Sequence, residues 1–241
     1  MKVPTVFNST AMISIITPVL NEEKNIRALL SHLGSLEGDF EIVIVDGRSS
    51  DRTMEEVKIC MKNFTRGLKI MEAKRGRALQ MNKGAEVARG DIFLFLHADC
   101  SLEKDALILI EKAIYNENAV GGGFRQAFSS PDMFLKLGSV IGNLRVSLTG
   151  TFYGDYGIFM RKDIFGKIGG YDDIPFLEDV ELCRKAKRHG KLIHIDRRII
   201  TSPRRYFEKG KLRLATVFLL ANFFNIFRWR PMFLWKYIAD K

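Results

Sequence analysis

Cysteine is scarce in this chain of 241 residues: Cys60, Cys100 and Cys183 are odd in number and far apart. They form no metal-ligand spacing and no disulfide framework, which excludes a stapled secreted scaffold and points to a reducing, cytoplasmic setting. Long apolar runs are missing too. A bilayer-spanning helix needs roughly 20 apolar residues, whereas the longest run here, 214–227, is interrupted by Asn222 and Asn225. The first apolar run, 11–20, contains Pro18 and lacks the basic start and small-residue cleavage site of a signal peptide. There is no internal repeat and no low-complexity linker. What is present is ordinary globular material, 46% hydrophobic and 27% charged, enough for one large core with a short appendage.

The charge is concentrated. Residues 197–241 hold 11 Lys/Arg and 2 Asp/Glu, a surplus of +9, whereas the first 196 residues hold 27 and 26. Ten aromatics, both tryptophans among them, are interleaved with those cations over residues 206–237. An interfacial membrane helix has this composition, and so does a helix pair that caps a core with its apolar faces buried. Both readings stand at this level. The first places the protein on an anionic membrane surface, peripherally at the inner face of the cell membrane. Nucleic acid is not expected as a partner, because no nucleic-acid-binding motif accompanies the charge.

Strand-like and helix-like stretches alternate from the start. Residues 12–17 (MISIIT), 40–45 (FEIVIV), 68–71 and 91–96 (DIFLFL) read as strands, with helical spacing opening near Glu22, near Ser50-Asp51 and over 76–88. Such β-α-β alternation predicts an α/β fold with a mostly parallel sheet covered by helices on both faces. Further on, 120–128 and 156–160 read as strands, and 133–148 and 178–189 as helices. Residues 192–195 and 198–202 read as two short edge strands. Helical, aromatic-rich sequence then runs to the end, broken at Pro231.

In such sheets ligands bind beyond the carboxyl ends of the strands. The first strand ends in Pro18-Val19-Leu20-Asn21-Glu22-Glu23, the second in Asp46-Gly47-Arg48-Ser49-Ser50-Asp51, the fourth in His97-Ala98-Asp99. Asp51, just before Arg52-Thr53, reads as a helix cap. Asp99 follows a fully apolar strand, where a lone carboxylate has little structural purpose. A hard divalent cation held by one or two carboxylates and substrate phosphates explains it.

Four stretches in this order, TPVLNEE, VDGRSSD, GRALQMNKGAEVARGDIFLFLHAD and FLEDVELCRKAKRHG, resemble the inverting family-2 glycosyltransferases of the GT-A fold. The combination GRALQMN, FLHAD, YGDYGIF and IPFLEDVEL looks most like a bacterial subgroup linked to arsenosugar biosynthesis. The resemblance implies a GT-A catalytic domain over residues 1–205 with a helical basic-aromatic tail over 206–241. It implies a nucleotide-diphosphate-sugar donor, a hydroxyl acceptor, small-molecule or lipid, and Mg2+ or Mn2+ as cofactor.

Laid on the sequence, it puts Pro18, Asn21 and Glu22 against the nucleoside and Asp46 at the base edge. Arg77 and Asn82 fall near base and ribose. His97-Ala98-Asp99 takes the place of the family's Asp-x-Asp motif, with Asp99 the metal ligand and His97 on the ribose. Glu178-Asp179 matches the pair whose Asp is the general base, a carboxylate that takes the acceptor's proton. Both acids also suit a helix N-terminus. Arg204, Arg205 and Asp155 fall on the acceptor or phosphate side. The Gln-x-x-Arg-Trp form of processive synthases is absent, which argues against processive synthesis. A sugar-phosphate nucleotidyltransferase would need a Gly-rich basic loop after the first strand, where this chain has Pro-Val-Leu-Asn-Glu-Glu. A non-catalytic nucleotide-sugar or membrane-binding module remains as an alternative that could dispense with Asp99 and Asp179.

Overall fold

The computed structural model describes residues 11–62, 64, 66–174, 176–226, 229, 231, 233 and 234. An α/β architecture emerges, as the alternation predicts. Strands β1 (Ile13–Val19), β2 (Phe40–Asp46), β3 (Leu68–Glu72) and β4 (Ile92–Phe95) alternate with helices α1 (Ile26–Gly34), α2 (Thr53–Met61) and α3 (Arg77–Val87). Then come β5 (Cys100–Leu102), α4 (Ala106–Tyr115), β6 (Gly121–Phe128), α5 (Met133–Thr149), a 3-10 turn at Gly154–Tyr156 and β7 (Ile158–Arg161). The chain closes with α6 (Lys162–Lys167), α7 (Glu178–Ala186), β8 (Leu192–Thr201), α8 (Arg204–Lys209) and α9 (Lys211–Ile226).

The sheet runs in the order β3-β2-β1-β4-β7-β6-β8-β5. Ladders β1–β2, β1–β4, β2–β3 and β6–β8 are parallel, and β7 lies antiparallel between β4 and β6. Alternate residues of a strand face opposite sides, and the core divides accordingly. Ile13, Ile15, Ile42, Ile44, Ile92 and Leu94 pack on one side with α1 and α4. Ile16, Val43, Val45, Phe93 and Phe95 pack on the other with α3, α6 and α7. Burial on both faces is why these strands read as unbroken apolar runs.

Pro18 sits inside β1 without breaking a ladder. Leu96 N–H donates to Ile16 C=O, so Pro18, two residues on, also faces the β4 side, where pairing has ended at Ile16–Phe95.

Three expectations need correction. The two short edge strands are one strand, β8, and it is interior, between β6 and β5. The polar break that split them, Asp196-Arg197, is exposed and sits where the β6–β8 register shifts between Phe124 and Arg125. The helix expected over 178–189 ends at Ala186, followed by a turn to Gly190 at φ 156. The C-terminal helical stretch is broken first at Gly210 (φ 86); the flanks of Pro231 lie largely outside the described residues. Gly122 explains a glycine in mid-strand: a Cβ there would stand 2.0 Å from the Ile193 carbonyl oxygen.

α9 packs one side onto the body of the protein. Val217 and Ala221 join Phe176, Leu177 and Val180 in a small core. No described helix is long and apolar enough to cross a membrane.

Candidate active site

The loops after β1 and β2 are tied to each other. Asn21 (φ 54) accepts at Oδ1 from Ser50 N–H at 2.8 Å, and its own N–H donates to Ser49 Oγ at 2.9 Å. Asp46, buried at the end of β2, accepts from Ser49 N–H and from Ser49 Oγ–H at 2.6 Å. Asp51, expected as a helix cap, accepts from Thr53 N–H at 3.0 Å in a turn just before α2, whose N-cap position is Arg52. Gln80 on α3 is buried and donates from Nε2 to the carbonyls of Val19 (2.9 Å) and Val45 (2.8 Å), where β1 and β2 part. Nothing in the sequence distinguishes Gln80 from a surface helical glutamine.

Asn82, expected near base and ribose, clamps the Tyr171 backbone: Nδ2 donates to its carbonyl at 2.8 Å and Oδ1 accepts from its N–H at 2.9 Å. Arg77, one helical turn earlier, pairs with Glu178 (Nε–Oε1 3.1 Å). Glu178 is almost completely buried, so removing its cation would cost about 3–5 kcal/mol, the usual scale for half a buried ion pair. These two contacts join helix α3 to the α6–α7 loop and to the start of α7.

Beyond β4 the acids converge. Burial raises the Asp99 carboxyl above its ordinary range, the nearby charge of Glu22 adds to this, and Arg204 and Arg205 pull the other way. Asp155 is pushed up to about 6 by burial and by Asp99, against the pull of Arg145 and Arg205. Backbone contacts fix the cluster: Ser202 N–H donates to Asp99 C=O at 3.0 Å, and Thr201 Oγ1–H to Asp155 C=O at 3.3 Å. Arg204 holds Glu22 through two bonds, Nη2–Oε1 at 2.7 Å and Nη1–Oε2 at 3.3 Å. The loop after β1 and the start of α8 are thereby latched together.

Asp179 stands at the first turn of α7, after Leu177 in a left-handed conformation at φ 60. That conformation costs a leucine roughly 1–2 kcal/mol and is the kind of strain that clusters at functional sites. Asp179 Oδ2 accepts from Gly154 N–H at 2.9 Å, while Oδ1 is buried with no hydrogen-bond partner. Burial and the adjacent Glu178 raise its pKa, opposed by Arg77 and the Gly154 N–H. A Cβ at Gly154 would lie 2.4 Å from His97 Nε2 and 3.1 Å from Asp179 Oδ2. The imidazole and the carboxylate therefore meet over one glycine. Gly154→Ala is expected to lower turnover by at least about tenfold while the chain stays folded. Steady-state rates alongside a thermal melt check this, and wild-type turnover in the variant would show that the two groups need not meet there.

Arg145 on α5 was not among the residues the sequence singled out. Its guanidinium lies over the Tyr153 ring, 4.0 Å from the centroid, and Nη1 donates to Thr151 Oγ1 at 3.1 Å. Nε and Nη2 are buried without hydrogen-bond partners. In sequence it looks like a solvated helical arginine; only the packing of α5 brings it beside Asp155.

No group of three or more His, Cys, Asp or Glu side chains among the described residues could hold a metal by itself. The donor set instead fits a hard cation held by Asp99 and substrate oxygens, since carboxylates crowd there with their charge disfavoured. Two depressions of about 500 and 480 Å³ lie along α3, and neither is lined by Asp99, Asp155 or Asp179.

The sequence and the fold have known relatives. The family description "Glycosyl transferase family 2" matches residues 14–169. A "PGL/p-HBAD biosynthesis glycosyltransferase" of Mycobacterium tuberculosis is 32% identical over 164 residues, 67% of this chain and 63% of that protein. A dolichyl N-acetyl-alpha-D-glucosaminyl phosphate 3-beta-D-2,3-diacetamido-2,3-dideoxy-beta-D-glucuronosyltransferase of Methanococcus voltae is 30% identical over 167 residues, 64% of this chain and 51% of that one. The chain thus spans between half and two thirds of these relatives. Among solved structures, the mannosyltransferase PcManGT of Pyrobaculum calidifontis, in complex with GDP-Man and Mn2+, superposes with a TM-score of 0.67 at 19% identity, over 80% of this chain and 57% of that one. S. aureus TarS in complex with UDP-GlcNAc gives 0.63 at 19% identity, over 79% and 58%. Both share its fold, and the match over residues 14–169 shows that the chain belongs to glycosyl transferase family 2.

Proposed function

We propose that the protein transfers a sugar, with inversion, from a nucleotide-diphosphate sugar to an acceptor hydroxyl. The observation that carries this is the unpartnered, buried Asp179 Oδ1, near Asp155, which in turn lies near Asp99. Asp179 takes the proton as the acceptor oxygen attacks the anomeric carbon. A new C–O bond forms on the face opposite the diphosphate, whose own bond to that carbon breaks with both electrons leaving on the phosphate oxygen. Mg2+ or Mn2+ at Asp99 would supply charge to the departing diphosphate. Pro18, Asn21, Glu22, Asp46, Arg77, Asn82 and His97 form the nucleoside side, with Asp155, Arg204 and Arg205 on the acceptor or phosphate side. Residues 1–205 act as the catalytic domain and 206–241 as its helical tail.

The donor complexes of PcManGT and TarS support a nucleotide sugar. The narrower resemblance to the arsenosugar-linked subgroup would make the acceptor a small molecule. The basic, aromatic tail favours a lipid hydroxyl instead, through reversible attachment to anionic bilayers that weakens as salt screens it.

A thermal-shift series with UDP and GDP, each with and without Mn2+ or Mg2+, tests the central reading. One nucleotide is expected to stabilise the protein only with metal, by about 2.7 kcal/mol at a hundredfold excess over its dissociation constant. No metal-dependent shift with either nucleotide would overturn it.

A further inference from the structure

The inward side of helix α5 carries Ser139 and Asn143 beside the buried Leu135 and Val146. Ser139 Oγ–H donates to Gln126 Oε1 at 2.8 Å, and the Asn143 amide brackets the Gln126 backbone, donating to its C=O at 2.9 Å and accepting from its N–H at 3.0 Å. Ser139 and Asn143 are buried by these contacts to β6. The opposite face presents Met133, Leu137, Val140, Ile141, Leu144 and Leu148, each 57% exposed or more. They recur at helical spacing, so they form one continuous apolar stripe along the helix. A stripe of this kind on a soluble chain marks a surface that something covers.

The neighbouring helix extends the same kind of surface. Leu212, Leu219 and Phe223 of α9 are more than half exposed. Both helices stand on Tyr153: Arg145 of α5 lies over its ring, while Asn222 of α9 accepts from its hydroxyl at 2.5 Å and Phe218 packs 6.4 Å from it. At their N-terminal ends Lys211 pairs with Asp132, the one acid in residues 129–149. The charges flanking the stripe are otherwise cationic: Lys136, Lys209, Lys211 and Arg213, with Glu208 the single acid over residues 204–226. A second copy of this chain would bring cations against cations across a two-fold contact. A surface of anionic lipid headgroups complements both the charge and the stripe.

We infer that the outer face of α5 inserts into the headgroup layer of an anionic bilayer, as an interfacial helix beside the tail rather than as part of it. Membrane attachment then has an apolar component that salt does not screen, supplied by α5, besides the electrostatic one of residues 204–237. The inference adds to the tail reading and fails separately from it.

The test is sedimentation of the full chain with phosphatidylcholine vesicles, with and without phosphatidylglycerol, at low and high salt. It compares the wild type with the combined variant Leu137→Gln, Ile141→Gln and Leu144→Gln, with oligomeric state read by analytical ultracentrifugation. All three side chains are exposed, so melting and far-UV dichroism should be unchanged. The wild type is expected to be monomeric and to bind phosphatidylglycerol vesicles, with the variant's partition coefficient at least about tenfold lower at either salt, a modest fraction of three leucine-sized burials. Equal binding by the variant would overturn the role of α5 and leave the tail reading standing. Absence of wild-type binding at both salts would overturn both. A wild-type dimer that the variant splits, without vesicle binding, would assign the stripe to a second copy of the chain.

Discussion

Asp179→Asn is expected to cut turnover by on the order of 10²-fold or more, the usual contribution of a positioned general base, with donor affinity nearly unchanged. Asparagine keeps the shape and can still accept the Gly154 N–H bond, so the loss reads as loss of the base rather than of the loop. The wild-type pH profile should carry the same signature. The proposed base would act ionised, and the pKa of Asp179 is raised by burial and by Glu178. The acid limb of kcat/KM for the acceptor should therefore lie above the ordinary carboxylate range, with activity falling as pH drops through it. Steady-state kinetics of the variant, with calorimetry of nucleotide binding, check the first point; a pH series checks the second. Wild-type turnover in the Asp179→Asn variant would return Asp179 to the role of holding Gly154.

Asp99→Asn is expected to remove the metal-dependent part of donor binding while leaving the fold intact. Calorimetry of the wild type should show nucleotide affinity rising when Mn2+ is added, and the variant should show no such rise. Turnover should drop by about 10²-fold or more, since a cation at a leaving diphosphate is worth several kcal/mol. The variant should not melt lower than the wild type, because Asp99 sits among acids with its charged form disfavoured. Unchanged nucleotide affinity in the variant, with and without Mn2+, would take the cation away from Asp99.

The first half of the sheet was legible because β1, β2 and β4 are buried on both faces and therefore spell continuous apolar runs. The acids at their ends stood out against those runs, and Asp46 and Asp99 lie at the carboxyl edge where such sheets bind ligands. β5 was not legible: Cys100-Ser101-Leu102 is too short to carry a period, and pairs only with β8 among the described strands. β8 was misread as two strands because Asp196 and Arg197 interrupt its apolar pattern at a shift of register. Side chains that act by bridging distant backbone, Gln80 between β1 and β2 and Asn82 on Tyr171, have no signature along the chain. The outward face of α5 was hidden differently. Its apolar spacing was correct for a helix, but spacing alone does not say which face meets the protein.

The placement of β5 has a consequence for how the protein is made. This strand begins at the residue after Asp99, and its neighbour among the described strands is β8, with Cys100 opposite Thr201. A ribosome adding roughly 5–20 residues per second reaches Thr201 about 5–20 s after Cys100 has been joined. During that interval the first strands and their helices have everything they need to form, but the segment leaving Asp99 has nothing to pair with. Arg204, the partner of Glu22, arrives later still. In the half-made chain the segment leaving Asp99 is therefore unpaired, and the Asp99 carbonyl gains its bond from the Ser202 N–H only once β8 is in place between β6 and β5.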